Sequence, residues 1–250
     1  MAFLRSLLYA AIFYPATVLW VLVGMVATLF GRRATLSVVL SWVDLHHWLA
    51  RNVLGIRLRI EGSIPAGSQL IAAKHQSMFE TLEMVRLANL PIIVMKKELA
   101  DIPLFGLMTR RYGVIPVERS AGAMALRALV EEGKTAVASG RPVIIYPEGT
   151  RVHVGEKPKL KPGFAALYRA LGLPVVPVAV DSGRVWGRGF VHHSGTVTFK
   201  VGQTIEPGLP RNEIEARVHA AINELELSSL PQSGGEGDHP QDGGGGPPSR

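Results

Sequence analysis

The chain opens with its longest apolar stretch. Ser6 to Gly31 carry no charge, with Arg5 before them and Arg32-Arg33 after. A helix over these 26 residues would be roughly 39 Å long, enough to cross a bilayer with some tilt. Pro15 would kink or restart it, and the piece after it, Ala16 to Gly31, is slightly short for a full span. A secretory signal fits poorly, because the apolar region is too long and no clear small-x-small cleavage site precedes a mature start. From Ala34 to Val53, Leu36, Val39, Leu40, Val43, Leu45, Trp48 and Leu49 are apolar, while Asp44, His46, His47 and Arg51 interrupt them. That pattern predicts an amphipathic helix. Trp42 and Trp48 suit a membrane interface. Residues 1–53 are therefore expected to form a membrane-associated helical hairpin that spans the bilayer or dips into it.

At Gly55 the pattern changes. Ile56 to Gly62 alternates as a half-exposed strand does, and Leu70 to Ala73 is a short apolar run with the length of a buried strand. Further strands are expected at Pro91–Met95, Gly113–Val117, Pro142–Tyr146 and Val175–Val180, with an alternating strand suited to an edge at Thr196–Val201. Helices are expected from Thr81, over a short segment carrying Arg110 and Arg111, over Ala121–Ala138, over Phe164–Leu171 and over Pro210–Leu227. Strands alternating with helices imply an α/β fold with a mostly parallel sheet flanked by helices. Residues 54–227 are expected to form this unit. From Ser228 glycine, proline and serine dominate, so residues 228–250 are expected to be a disordered tail.

Composition narrows the chemistry. The chain has 250 residues, no cysteine and a formal charge of +7, which excludes disulfides, thiolate metal sites and a cysteine nucleophile. A basic balance allows nucleic acid, an anionic membrane or an acidic substrate as partner. The apolar residues concentrated at one end favour the membrane. Basic residues are not interleaved with aromatics as a nucleic-acid surface requires, so no nucleic acid is expected. There is no Gly-x-Ser-x-Gly elbow and no His-Glu-x-x-His pair, and Gly133-Lys134-Thr135 lacks the first glycine of a phosphate loop. No metal is expected. His46 and His47 are adjacent, do not share a helix face, and are expected to be interfacial polar groups.

The stretch Lys74-His75-Gln76-Ser77-Met78-Phe79-Glu80 sits where a strand turns into a helix, and ligands in α/β sheets bind at the carboxyl ends of strands. The separation of His75 and Glu80 is a little more than one helical turn, so the carboxylate can reach the imidazole. A carboxylate on one ring nitrogen fixes the tautomer and raises the basicity of the other, as a general base requires. Three other strand ends carry polar clusters: Lys96-Lys97-Glu98, Glu118-Arg119-Ser120 and Glu148-Gly149-Thr150-Arg151. Lys97, Arg119 and Arg151 are candidates to hold a phosphate monoester. Gly149 would let backbone N–H groups approach a ligand, and Glu148 would bond a substrate hydroxyl or orient Arg151.

These blocks resemble the 1-acylglycerol-3-phosphate (lysophosphatidate) acyltransferases, which carry a His-x-x-x-x-Asp/Glu motif. The matching pieces are His75 to Glu80, Lys97-Glu98-Leu99-x-x-Ile102-Pro103-x-x-Gly106, Val117 to Ser120, Tyr146 to Arg151 and Leu173 to Ala179. The resemblance implies that His75 and Glu80 are catalytic and that Lys97, Arg119, Glu148, Gly149, Thr150 and Arg151 bind substrate. It implies a lysophospholipid acceptor, and acyl-CoA or acyl carrier protein as acyl donor without a further cofactor. The catalytic part is expected at the membrane, on its cytoplasmic face. Most members have aspartate where this chain has Glu80, and asparagine where it has Lys74. Two departures from the reaction stay open: another lyso-lipid acceptor, such as a lyso-ornithine lipid, and a membrane-bound thioesterase. A third reading is a lipid-binding protein without turnover.

Overall fold

The structure, a computed structural model, describes residues 1–118 and 122–227. Helix α1 (Ala2–Leu29) continues through Pro15 and does not restart there. Helix α2 (Arg32–Leu49) folds back on it after a tight connection at Gly31, whose φ of 92° is one that glycine takes at no cost. α2 packs along both halves of α1: before the proline the Tyr9 hydroxyl lies 2.8 Å from His46 Nδ1, and after it Trp42 Nε1 donates to Thr17 Oγ1 and Trp20 Nε1 to Ser41 Oγ, each at 2.9 Å. That support on either side of the proline explains why the helix is continuous. A wider helical turn, Ala50–Leu54, ends at Gly55 with φ 75° and hands the chain to the sheet.

Seven strands follow: β1 (Ile56–Glu61), β2 (Leu70–Ala73), β3 (Ile92–Lys96), β4 (Ile115–Val117), β5 (Val143–Ile145), β6 (Val175–Val180) and β7 (Gly195–Val201). Their order is β1-β7-β6-β2-β5-β3-β4. Neighbours run parallel except β6 and β7. The sheet is thus mostly parallel, as the alternation of elements predicts. One strand differs from expectation. β7 does not form the edge but pairs with both β6 and β1. The alternating strand β1 takes the edge instead, because its Arg57, Arg59 and Glu61 need one wet side.

The helices α3 (Phe79–Leu87), α4 (Lys97–Ala100), α5 (Phe105–Tyr112), α6 (Gly122–Val137), α7 (Pro162–Leu171), α8 (Arg211–Ile222) and α9 (Glu224–Leu227) cover the two faces. The last two replace the single expected helix, because Asn223 interrupts it and turns its side-chain amide back to the His219 carbonyl. Side chains alternate across a strand, and β2 is buried on both faces. Ile71 and Ala73 join a core that holds Ile144, Val178, Phe79 and Met84, and this same core includes Tyr9, Phe13, Val39, Val43 and Leu49 of the helical pair. Leu70 and Ala72 face the other core, with Phe164, Leu167, Ile214 and Val218. The helical pair therefore shares one continuous core with the sheet. Its outer face is different. Leu4, Leu8, Val18, Leu22 and Val26 of α1 are exposed, and among the described residues α1 is the one helix long and apolar enough to cross a membrane by length and composition. The expected tail at 228–250 lies outside the described residues.

Candidate active site

Strand β2 lies in the middle of the sheet, between β5 and β6. Whatever follows its last residue emerges between the carboxyl ends of those two neighbours. The alternation that splits β2 between two cores continues past Ala73. Lys74 falls on the side of Leu70 and Ala72, and His75 on the side of Ile71 and Ala73. The two residues accordingly meet different partners.

His75 remains partly open, with 17% of its side chain exposed, while Glu80 has none. His75 Nδ1 and Glu80 Oε1 are 2.8 Å apart. The same Glu80 oxygen accepts the amide N–H groups of Gln76 and Ser77, each at 2.7 Å. Its other oxygen accepts the hydroxyls of Ser77 at 2.6 Å and Ser182 at 2.5 Å. Burial pushes the Glu80 carboxyl up, but the hydrogen bond and charge of His75, with the Ser182 and Ser77 hydroxyls, hold it below the usual value. An ionised carboxylate accepts only, so the ring proton belongs on Nδ1 and Nε2 is left with its lone pair. The imidazole lies on the Tyr146 ring, centroids 4.3 Å apart and planes 29° from parallel. His75 is thus held by a bond on one edge and a ring on one face.

On the other side, Lys74 is fully buried. Its Nζ lies 2.8 Å from Glu148 Oε1 and donates to Asn223 Oδ1 and to the Glu156 carbonyl, each at 2.6 Å. Glu148 Oε2 accepts the His75 amide at 2.9 Å. Burial pushes the Glu148 carboxyl up, opposed by Lys74 and the His75 amide. Glu148 therefore does not face a substrate hydroxyl or Arg151. It is fully buried, and it acts on the site through the backbone of His75. Backbone amides of the turn are also engaged. Those of His75, Gln76, Ser77 and Phe79 all donate to side chains of the turn or to Glu148. The Gly149 N–H donates to the Tyr146 carbonyl at 2.9 Å. What Gly149 supplies is a φ of 72°, which closes the turn that points Glu148 inward.

The candidate cations are spread out. Arg151 is exposed and sits beside the His75 turn, since the next amide, Val152 N–H, donates to the His75 carbonyl at 2.8 Å. Thr150 is exposed next to it. Lys97 starts α4 at the end of β3, a strand separated from β2 by β5, and pairs with Glu118 at 3.0 Å, both half exposed. Arg119 lies outside the described residues. His46 is not at an interface as expected, and His47 meets a carboxylate of the protein. His46 is fully buried, with Nδ1 2.8 Å from the Tyr9 hydroxyl, and His47 Nδ1 is 3.1 Å from Glu83. Glu83 of α3 is thus the partner of His47, while His46 has the Tyr9 hydroxyl of α1. Among the described residues no group of three metal-binding side chains exists.

Several neighbours of the site escape the sequence reading. Ser182 follows β6, and Tyr146 follows β5, so both stand at strand ends flanking β2. Strand order was needed to find them. Ser77 had a local signal: Ser77-x-x-Glu80 has the spacing of a helix capping box. Gln76 binds Glu226 of α9 and accepts the Gly183 amide at 2.9 Å, a contact between sequence-distant segments with no local mark.

A buried carboxylate on Nδ1 of a half-open imidazole can take a proton at Nε2 from an alcohol or from water. Comparison with known proteins narrows that choice. The family model for acyltransferases matches residues 55–181. The chain is 32% identical over 240 residues to the 1-acyl-sn-glycerol-3-phosphate acyltransferase of Pseudomonas aeruginosa, covering 92% of this chain and 93% of that one. It is 28% identical over 176 residues to 1-acyl-sn-glycerol-3-phosphate acyltransferase alpha of Homo sapiens, covering 68% and 61%. The crystal structure of the 1-acyl-sn-glycerophosphate acyltransferase PlsC from Thermotoga maritima superposes with a TM-score of 0.70 at 25% identity, covering 90% of this chain and 98% of that one. The His75–Glu80 turn and the Glu148 turn lie inside the matched segment, and on sequence and fold together this chain belongs to the acyltransferase family.

Proposed function

We propose that the protein transfers a fatty acyl group from an acyl thioester to the free hydroxyl of 1-acylglycerol 3-phosphate, giving phosphatidic acid. The observation that carries this reading is the ionised, buried Glu80 on Nδ1 of a partly exposed His75. His75 Nε2 takes the hydroxyl proton as the oxygen attacks the thioester carbonyl carbon. The tetrahedral intermediate collapses with cleavage of the C–S bond, and the imidazolium returns the proton to the thiolate. Glu80 stabilises the imidazolium while it exists. No covalent acyl-enzyme is needed, in keeping with a chain that has no cysteine. Arg151, beside the histidine turn, is the nearest candidate for the acceptor phosphate. The donor is acyl-CoA or acyl carrier protein, both anionic and suited to a chain of charge +7.

The helical pair supports a site at a lipid surface. α1 lies along α2 and the catalytic part over its length, so one face is protein and the other is exposed and apolar. That geometry favours a helix lying in one leaflet over a helix crossing alone. Arg32 and Arg33 and the basic catalytic part then stand on the cytoplasmic side.

Purified protein with lysophosphatidate and either donor, read by product mass, tests the reaction. Phosphatidic acid is the expected product. Free fatty acid as the main product would mean that water is the acceptor and the enzyme is a thioesterase. Product from a different lyso-lipid alone would move the acceptor.

A further inference from the structure

Next to the histidine turn is a cavity of about 140 Å³ that shares Arg151 with the site described above. Tyr9 and Tyr14 of α1 form one wall, Trp186 and Phe190 of the loop after β6 form another, and Met78 of the catalytic turn closes it. Two arginines, Arg151 and Arg188, are also among its lining residues. Arg188 Nη2 donates to the Arg151 carbonyl at 2.5 Å, which ties one residue to the other. Among the described residues no carboxylate pairs with either arginine. Two like charges beside an aromatic wall call for an anion, and a planar fork pair matches phosphate oxygens. The volume is well below the roughly 300–1,000 Å³ of a drug-sized site, so it suits a head group and not a lipid tail.

α1 adds direction. Ser6 accepts the His192 amide at 2.8 Å, so this end of the helix is fastened to the loop that carries Arg188. The outer side of the same helical stretch, at Leu4 and Leu8, is exposed and apolar. One helix therefore offers lipid contact outside and a cationic cavity inside.

We propose that this cavity receives the phosphate monoester head group of the acceptor, with Arg188 as the specificity-determining partner of Arg151 and α1 as the wall on the lipid side. The proposal rests on the acyltransferase reading above. Its substrate is a phosphate-bearing lysolipid rather than a neutral one, and Arg188 is what separates them.

The test uses the full chain in lipid nanodiscs, with lysophosphatidate and 1-monoacylglycerol as acceptors. Arg188→Ala is expected to raise the acceptor KM for lysophosphatidate about 10–100-fold, the worth of one charge-assisted hydrogen bond. The donor KM and the use of monoacylglycerol are expected to stay as in the wild type, and Arg188→Lys to restore part of the loss. Ala10→Phe fills the cavity from the α1 wall without touching a charge, and is expected to raise the same KM. Inorganic phosphate separates a head-group site from a free-phosphate site. If Arg188→Ala relieves phosphate inhibition but leaves the lysophosphatidate KM unchanged, the lipid assignment is wrong. An equal loss for both acceptors also overturns it. Wild-type protein that makes no phosphatidic acid would instead overturn the reaction itself.

Discussion

Replacing His75 by alanine is expected to lower acyl transfer by about 10²–10⁴-fold, the usual worth of a positioned general base, with membrane association unchanged. The reason is local. The ring makes one bond, to Glu80, and one stacking contact, with Tyr146. Its removal leaves the amide bond from residue 75 to Glu148 in place, because that bond is made by the backbone. Glu80 keeps its other four donors. The loss should fall on kcat with both substrates at saturation, and a steady-state assay of the purified variant checks it. Full activity would remove the mechanism. The pH dependence has a definite sign. Glu80 has a lowered pKa in the fold, so its contribution to stability is complete above the ordinary carboxylate value and disappears as pH falls through the lower, folded one.

The second large effect concerns stability. Lys74→Met leaves the Glu148 carboxylate buried without its cation, and removing one member of a buried pair costs about 3–5 kcal/mol. For a chain of this size that lowers Tm by roughly 6–20 °C. Asn223 and the Glu156 carbonyl also lose a donor, which adds to the cost. Lys74→Met combined with Glu148→Gln removes the uncompensated charge while keeping an acceptor for the His75 amide, so it should recover a large part of the Tm. A thermal melt of the two variants distinguishes the cases. If the single variant melts like the wild type, the pair is not what holds the turn. Recovery of Tm without recovery of kcat would show that the charge itself serves His75.

Much of this arrangement could be read before any fold was known, for a physical reason. The His75–Glu80 contact is local in sequence: the chain bends between β2 and α3, and Glu80 in the first turn of α3 reaches back to the ring. The mostly parallel sheet followed from the apolar runs. The strand order did not, and three features depended on it. The edge went to β1 because β7 has pairing partners on both sides. Ser182 reached Glu80 because β6 neighbours β2. Glu148 looked like a ligand-facing carboxylate because its loop is rich in polar residues. It is instead drawn inward by Lys74, a buried cation that sequence marks only as one basic residue among many. The partners of His46 and His47 were hidden for the same reason: the Tyr9 hydroxyl comes from α1 and Glu83 from α3. Lys97 is placed on a more distant strand end and carries its own partner, Glu118.

Nitrogen NMR of the His75 ring, in wild type and in Glu80→Gln, reads the tautomer on which the reaction depends. In the wild type near neutral pH the neutral ring should carry its proton on Nδ1, with Nε2 bare. In Glu80→Gln the side-chain amide can donate to Nδ1, which moves the ring proton to Nε2 and removes the base; transfer should fall together with that change. A wild-type ring protonated on Nε2, or a Glu80→Gln variant that keeps both the Nδ1 tautomer and full transfer, would contradict the account.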